Sequence, residues 1–108
     1  MEDNKDNRKY PRIEKEVIVE LKKLDSDQKD ILRKGITKNI SLGGAFIETR
    51  DTMEEGDEVQ IKLRIPEKER ELTVEGVVRW TTGDDPPGIG VEYTNVEMDN
   101  HPLTFVVD

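Results

Sequence analysis

The sequence contains no cysteine and a single histidine, His101. Disulfides and thiolate metal sites are therefore excluded, and His101 has no second histidine with which to form a metal site. We expect no metal and no other cofactor. The absence of disulfides suits a reducing compartment, and we expect a cytoplasmic protein.

Long hydrophobic runs are also missing. No apolar segment approaches the roughly 20 residues that a membrane-spanning helix needs, and we see no signal peptide, so we expect no membrane insertion. Hydrophobic residues make up only 32% of the chain and charged residues 39%. Because the apolar residues form short clean runs, the sequence predicts one small folded domain with a heavily solvated surface.

Positive charge is scarce, and it is unevenly placed. The net charge of −8 argues against a nucleic-acid polymer as the main partner, because such partners are bound mostly through cationic side chains. Residues 1–38 hold 11 Lys/Arg against 9 Asp/Glu, whereas residues 39–108 hold 6 against 16. An anionic ligand should therefore be met by the N-terminal segment.

One polar stretch stands out between apolar runs. Asn39 and Ser41 are two residues apart, so on an extended strand both side chains leave the same face while Ile40 points to the core. Gly43 and Gly44 can take positive φ, bend sharply and let another molecule approach the main chain. This surface suits a small polar ligand; the alternative is a glycine turn that only connects two strands.

Two arginines precede the first predicted strand. Arg8 and Arg12 lie on either side of Pro11, which prevents a regular helix and favours a short extended or turning loop. Each guanidinium could grip a phosphate bidentately or stack on a base. The alternative is a solvated basic leader. Residues 1–7 are polar and charged, which predicts a mobile tail.

The rest of the chain alternates apolar runs with turn residues. Strands are predicted at 17–24, 31–40, 45–49, 58–65, 72–80 and 88–93. Gly35 is predicted to mark a bulge or a close approach. Six short strands with almost no helical periodicity predict an all-β fold, a small six-stranded antiparallel β-barrel, because closure removes sheet edges that so small a domain cannot cover.

Two further questions are the structure of the C-terminal segment and whether the sequence contains a catalytic site. Asp99 or Asn100 could cap a short helix in the C-terminal segment, but Thr104, Val106 and Val107 prefer extended structure. The sequence shows no nucleophile–base constellation, and adjacent carboxylates on turns are usually solvated charge. We therefore predict no catalytic residues and no enzyme.

The motifs and their order resemble the PilZ domain, the bacterial receptor module for the second messenger cyclic di-GMP. The resemblance is carried by Arg8-x-x-x-Arg12, Asn39-x-Ser41-x-x-Gly44, a strand ending in Trp80 and the segment 88–93, all on a β-barrel pattern. It covers residues 8–96, which leaves 1–7 as a disordered tail and 97–108 as a short C-terminal extension.

The resemblance implies a barrel of the split-barrel type with a flexible N-terminal arm, which binds cyclic di-GMP on its outer surface. In the family, the Arg-x-x-x-Arg loop wraps the ligand. On this chain, Arg8 and Arg12 would contact phosphate and the guanine Hoogsteen edge. Asn39, Ser41 and Gly44 would provide contacts to base, contacts to phosphate and a close backbone approach.

Three further residues are weaker candidates: Lys9, Gly43 and Trp80. Lys9 could add positive charge to the site or be solvated. The indole of Trp80 could stack on an exposed guanine, or it could close one end of the barrel core.

The leading hypothesis is a non-enzymatic cyclic di-GMP receptor. Its Arg8–Arg12 loop would fold over the nucleotide bound against the Asn39–Gly44 strand, and the changed surface would signal to an unidentified downstream protein. We expect a separate partner because the sequence carries no fused output domain. The alternative is a PilZ-like adaptor that binds proteins and no nucleotide. Motility, exopolysaccharide production, secretion and transcription all remain possible outputs.

Overall fold

The computed structural model describes residues 12–24, 32–51, 53–83, 85–96 and 101–107. Within them the chain forms seven strands and one helix. These are β1 (Arg12–Ile13), β2 (Ile18–Lys23), β3 (Arg33–Ser41), β4 (Gly44–Glu48), β5 (Glu58–Ile65), β6 (Arg70–Thr82), β7 (Gly88–Asn95) and α1 (Pro102–Val107). A short 3-10 turn, Pro66–Lys68, connects β5 to β6.

The strands form one antiparallel sheet in the order β1-β3-β2-β5-β6-β7-β4. The last strand, β4, also pairs with β3, so strands β2 to β7 close into a six-stranded barrel. The first strand, β1, pairs with the end of β3. The predicted fold, a small six-stranded antiparallel barrel, is confirmed.

The alternating strand β5 supplies one wall of the core, as its pattern predicts. Val59, Ile61, Leu63 and Ile65 are all buried, with at most 8% of each exposed. Every residue of β5 pairs with β6, and the register does not shift. Burial of an aliphatic side chain of this size contributes about 1.5–3 kcal/mol, so this wall is a main source of stability.

The C-terminal segment, which the sequence left open, contains the helix α1. Phe105 and Val106 are 5% and 1% exposed and join the core cluster of the barrel. The Lys15 ammonium donates a hydrogen bond to the Val106 carbonyl at 3.2 Å. The burial of these two side chains explains why a segment with strand-favouring valines is helical, since packing overrides local propensity.

Gly35 is a point of close approach, one of the two roles predicted for it. A Cβ atom at this position would lie 2.7 Å from the Glu48 carbonyl oxygen and 2.8 Å from a methyl carbon of Ile47. The bulge in this strand lies further along, between Thr37 and Asn39. Among the described residues, no helix is long and apolar enough to span a membrane.

Candidate functional site

A surface pocket of about 460 Å³ lies across strands β3, β4, β6 and β7. Five of the residues predicted from the sequence line it: Asn39, Ser41, Gly43, Gly44 and Trp80. Its volume falls in the range of small-molecule sites, about 300–1,000 Å³. The fold therefore brings the second motif and the tryptophan, which are far apart in the sequence, to one place.

The short strand β1 brings the end of the arginine motif to the same place. Its main chain pairs with β3 so that Arg12 lies opposite Ser41 and Ile13 opposite Ile40. Directly opposed Cα atoms in an antiparallel pair are about 4.5–5.5 Å apart. The sequence predicts a loop here, and the structure has a two-residue strand instead. Arg8 and Lys9 lie outside the described residues.

A bulge in β3 turns Asn39 towards the pocket. The register between β3 and β4 shifts between Thr37 and Asn39, which makes Lys38 the extra residue. Thr37 and Ile40 are both buried, so two successive residues between them leave the core face. Bulges re-aim side chains in this way and are frequent beside functional sites.

The hydroxyl group of Ser41 holds the turn that follows β3. It donates a hydrogen bond to the Gly44 carbonyl at 3.1 Å and accepts one from the Gly44 amide at 3.2 Å. The resemblance implies that this hydroxyl contacts phosphate. To do so, it would have to give up its hydrogen bond to the Gly44 carbonyl and donate to the phosphate instead.

The sequence predicts that Gly43 and Gly44 serve through their freedom to take positive φ, but Gly56 is the only described glycine that does so. The structural reason for Gly44 is contact with β7. A Cβ atom there would collide with the Val91 carbonyl oxygen. A Cβ atom at Gly43 would meet nothing within 4 Å.

His101 supports the same turn from inside the protein. Its side chain is 2% exposed. The Leu103 amide donates to Nδ1 at 3.0 Å, so Nδ1 is the acceptor nitrogen and Nε2 carries the proton that is donated to the Leu42 carbonyl at 2.6 Å. The single histidine of the chain thus connects the turn to α1.

A cross-strand row of side chains forms the pocket floor. Phe46 on β4 and Trp80 on β6 both lie opposite Gly90 on β7. The two rings stack with centroids 5.2 Å apart and planes 13° from parallel. A Cβ atom at Gly90 would collide with the indole, so the glycine leaves the space that the rings occupy. Trp80 is 47% exposed and does not close the core.

A second bulge, in β6, explains the position of Trp80. The register against β7 shifts between Val78 and Trp80, which makes Arg79 the extra residue. Val78 is buried, whereas Arg79 and Trp80 are both exposed and both line the pocket. Arg79 Nε donates to a carboxylate oxygen of Glu92 at 2.6 Å.

Seven of the residues that line this pocket were not predicted from the sequence, and four of them shape its floor and its charge: Phe46, Arg79, Gly90 and Glu92. The Gly88-Ile89-Gly90 spacing is the one signal that could have revealed the floor, because a glycine in a strand often marks a close approach. The pairing of Arg79 with Glu92 has no such local signal.

Tyr93 lies directly after the pocket residue Glu92. Its amide donates to the Gly43 carbonyl at 2.9 Å, and its ring meets the His101 ring edge-on with centroids 5.5 Å apart. Burial raises the pKa of the Tyr93 phenol above its ordinary value of 10.0. The described residues contain no group of three or more His, Cys, Asp or Glu side chains that could hold a metal.

Comparison with known proteins identifies a family for this chain. The model of the PilZ domain family matches residues 6–105. No curated protein matches the sequence.

Several solved structures share the fold, and the following three are each less than 25% identical to this chain. The Bacillus subtilis inhibitor of motility, MotI/DgrA, is 23% identical with a TM-score of 0.70, over 86% of this chain and 45% of that protein. The PilZ domain of Escherichia coli YcgR with cyclic di-GMP is 18% identical with a TM-score of 0.66, over 86% and 82%. The PilZ domain of CeSA from a cellulose-synthesizing bacterium is 21% identical with a TM-score of 0.61, over 83% and 86%. This chain therefore spans less than half the length of the motility inhibitor.

Proposed function

The chain belongs to the PilZ domain family, and from this membership we propose that it is a non-enzymatic receptor for cyclic di-GMP, which binds in the pocket across β3, β4, β6 and β7. The observation that carries the proposal is the pairing of Arg12 with Ser41. This pairing brings the main chain of Arg12, the end of the arginine motif, beside the Asn39–Gly44 motif that lines the pocket. The solved structure of the YcgR domain contains the same ligand.

The chemistry of the pocket matches this ligand. Cyclic di-GMP has two phosphate charges and two guanines, whose N7 and O6 atoms are acceptors that a guanidinium reads well. In this proposal Arg8 and Arg12 supply guanidinium groups, Asn39 supplies an amide for a base edge, and Trp80 presents an exposed indole face for stacking. The binding unit that we propose is residues 8–96, with 1–7 before it and 97–108 after it, and α1 of the latter segment packs into the barrel core.

Signalling follows from an ordering step in this proposal. The segment from Arg8 to Arg12 closes over the nucleotide, and the new surface is recognised by a separate protein in the cytoplasm. Because ordering a segment opposes binding, the affinity is moderate, and because phosphate contacts are ionic, it falls with salt.

Calorimetric titration of cyclic di-GMP tests the proposal. Wild-type protein should bind with micromolar or tighter affinity, and Arg12→Ala should weaken binding by about 10- to 100-fold, the cost of one or two charge-assisted hydrogen bonds. Arg64→Ala is the matched control, since Arg64 is bonded to Glu20 and does not line this pocket. Binding that survives in Arg12→Ala would place the nucleotide elsewhere.

A second function, an adaptor that binds protein and no nucleotide, is favoured by one observation. Ile18 and Ile36 are adjacent cross-strand partners, 55% and 40% exposed. Exposed apolar pairs of this kind occur at protein contacts. Wild-type protein that gives no heat with cyclic di-GMP, and no competition with any guanine nucleotide, would favour this function.

A further inference from the structure

The bulge in β6 gives the pocket an arginine that belongs to neither motif. In a regular strand, Arg79 and Trp80 would leave opposite faces of the sheet. The shift of register after Val78 puts both in the same pocket, in which the guanidinium of Arg79 lies beside the stacking platform of Trp80 and Phe46. A base stacked on that platform would hold its phosphate near such a group.

Arg79 is held in a way that leaves most of its donors available. Its Nε atom bonds Glu92, and its two terminal nitrogens make no hydrogen bond within the described part of the chain. Arg64 on β5 shows the opposite arrangement, because its terminal nitrogens contact Glu20 at 2.7 Å and Glu71 at 3.0 Å. Of these two arginines, only Arg79 has terminal nitrogens that form no hydrogen bond with a described residue.

Glu92 binds Arg79 only weakly, so a phosphate can replace it. Arg79 and Glu92 side chains are 57% and 55% exposed, and ion pairs at this level of exposure contribute little to stability. A phosphate offers two oxygens to the planar fork of an arginine and binds it bidentately, which a carboxylate on Nε alone does not. A bound phosphate would also lie close to the Glu92 carboxylate and be repelled by it.

We propose that Arg79 is a third ligand-binding arginine of the pocket, and that Glu92 is its counter-ion in the free protein, which a phosphate of the ligand replaces. The inference rests on the proposed function and deepens it. Glu92 keeps the guanidinium extended and neutralised until the ligand arrives. It thereby also weakens the binding of anions that are too small to reach the stacking platform and the arginine together.

The test is calorimetric titration of cyclic di-GMP into four variants of the full chain. Arg79→Ala should weaken binding by about tenfold or more, the effect of one charge-assisted hydrogen bond. Glu92→Gln should strengthen it by about two- to fivefold, because the competing charge is removed while an oxygen still accepts from Nε. The matched controls, Arg64→Ala and Glu71→Gln, carry the same charge changes away from the pocket and should stay within about twofold.

The double variant Arg79→Ala/Glu92→Gln distinguishes competition between Glu92 and phosphate for Arg79 from a general effect of removing negative charge. Most of the gain from Glu92→Gln should disappear when Arg79 is absent, because there is no longer an arginine for which carboxylate and phosphate compete. The same gain in both backgrounds would refute the counter-ion role. Thermal unfolding should be nearly unchanged in Arg79→Ala, which excludes misfolding as the cause of weaker binding.

The outcomes distinguish this inference from the function on which it rests. Wild-type binding that Arg12→Ala removes and Arg79→Ala leaves intact would overturn the third arginine and retain the receptor. No binding by the wild-type protein would overturn both. Weaker binding in Arg79→Ala, together with tighter binding in Glu92→Gln, supports the whole proposal.

Discussion

The two sides of the barrel wall are built in different ways. Where β5 pairs with β2 and β6, the residues run opposite one another without a shift, and side chains alternate between core and solvent. Where β3, β4, β6 and β7 surround the pocket, three shifts interrupt the register, one between β3 and β4 and two between β6 and β7. Gly44 and Gly90 leave room there that a side chain would fill. The regular side stabilises the fold, and the irregular side forms the pocket.

The difference shows what irregularity contributes to a small barrel. A strictly alternating strand sends every second side chain outward, spaced evenly over the surface. A bulge sends two successive side chains outward, as with Arg79 and Trp80, and a glycine between them and Phe46 lets large rings meet over the main chain. A concave, chemically dense surface thus arises without enlarging the domain.

The largest expected effect is a difference in how much substitutions on the two sides lower the free energy of unfolding. Ile61→Ala on the regular side should lower the free energy of unfolding by about 2–5 kcal/mol, because Ile61 is 2% exposed and its removal leaves a cavity. Trp80→Ala should cost less than Ile61→Ala, because Trp80 is 47% exposed and its removal leaves no closed cavity. Urea denaturation measures both. Equal losses would contradict the division of roles.

An intermediate effect is expected when the floor of the pocket is filled. Gly90→Ala places a methyl group where the Trp80 indole lies, so the ring must move away from Phe46 at a cost of about 1–3 kcal/mol. Tryptophan fluorescence and near-ultraviolet circular dichroism should both change. Gly43→Ala is the control, because its methyl group meets nothing within 4 Å, and an identical spectral change in both variants would argue against the stacked floor.

The smallest expected effect is on the pH dependence of the unfolding free energy, through the buried phenol of Tyr93 on β7. The folded pKa of Tyr93 is raised above 10.0 by burial, so its contribution is fully present below pH 10 and is lost as the pH rises further. The unfolding free energy of the wild-type protein should therefore fall more steeply above pH 10 than that of Tyr93→Phe. Denaturant titrations at pH 8, 10 and 11 make the comparison, and parallel curves would show that the phenol is not buried in solution.

Local patterns were sufficient to predict the barrel. Alternation identified β5 with the bounds that the structure shows, and Asn39 and Ser41 were placed on one face by their spacing alone. The strand β1 was missed because two residues after a proline give no periodic signal. The helix α1 stayed open because its burial against the barrel, through Phe105, depends on tertiary contacts.

The pocket was only half predictable for the same reason. A bulge is a property of two strands in register and has no signature in one of them, so the outward turn of Trp80 could not be read from its neighbours. Arg79 and Glu92 meet only because β6 and β7 pair. Sequence reasoning identified the residues that belong to motifs, and the fold added those that pairing brings beside them.

The row of Phe46, Gly90 and Trp80 has a consequence for the order of folding. It draws on three strands, of which β4 and β7 pair only when distant parts of the chain have come together, a step that costs loop entropy and is typically late. A partly folded chain therefore has no pocket. Any ligand of this site binds the closed barrel alone, and at a hundred times its dissociation constant it would add about 2.7 kcal/mol to the stability of the whole domain.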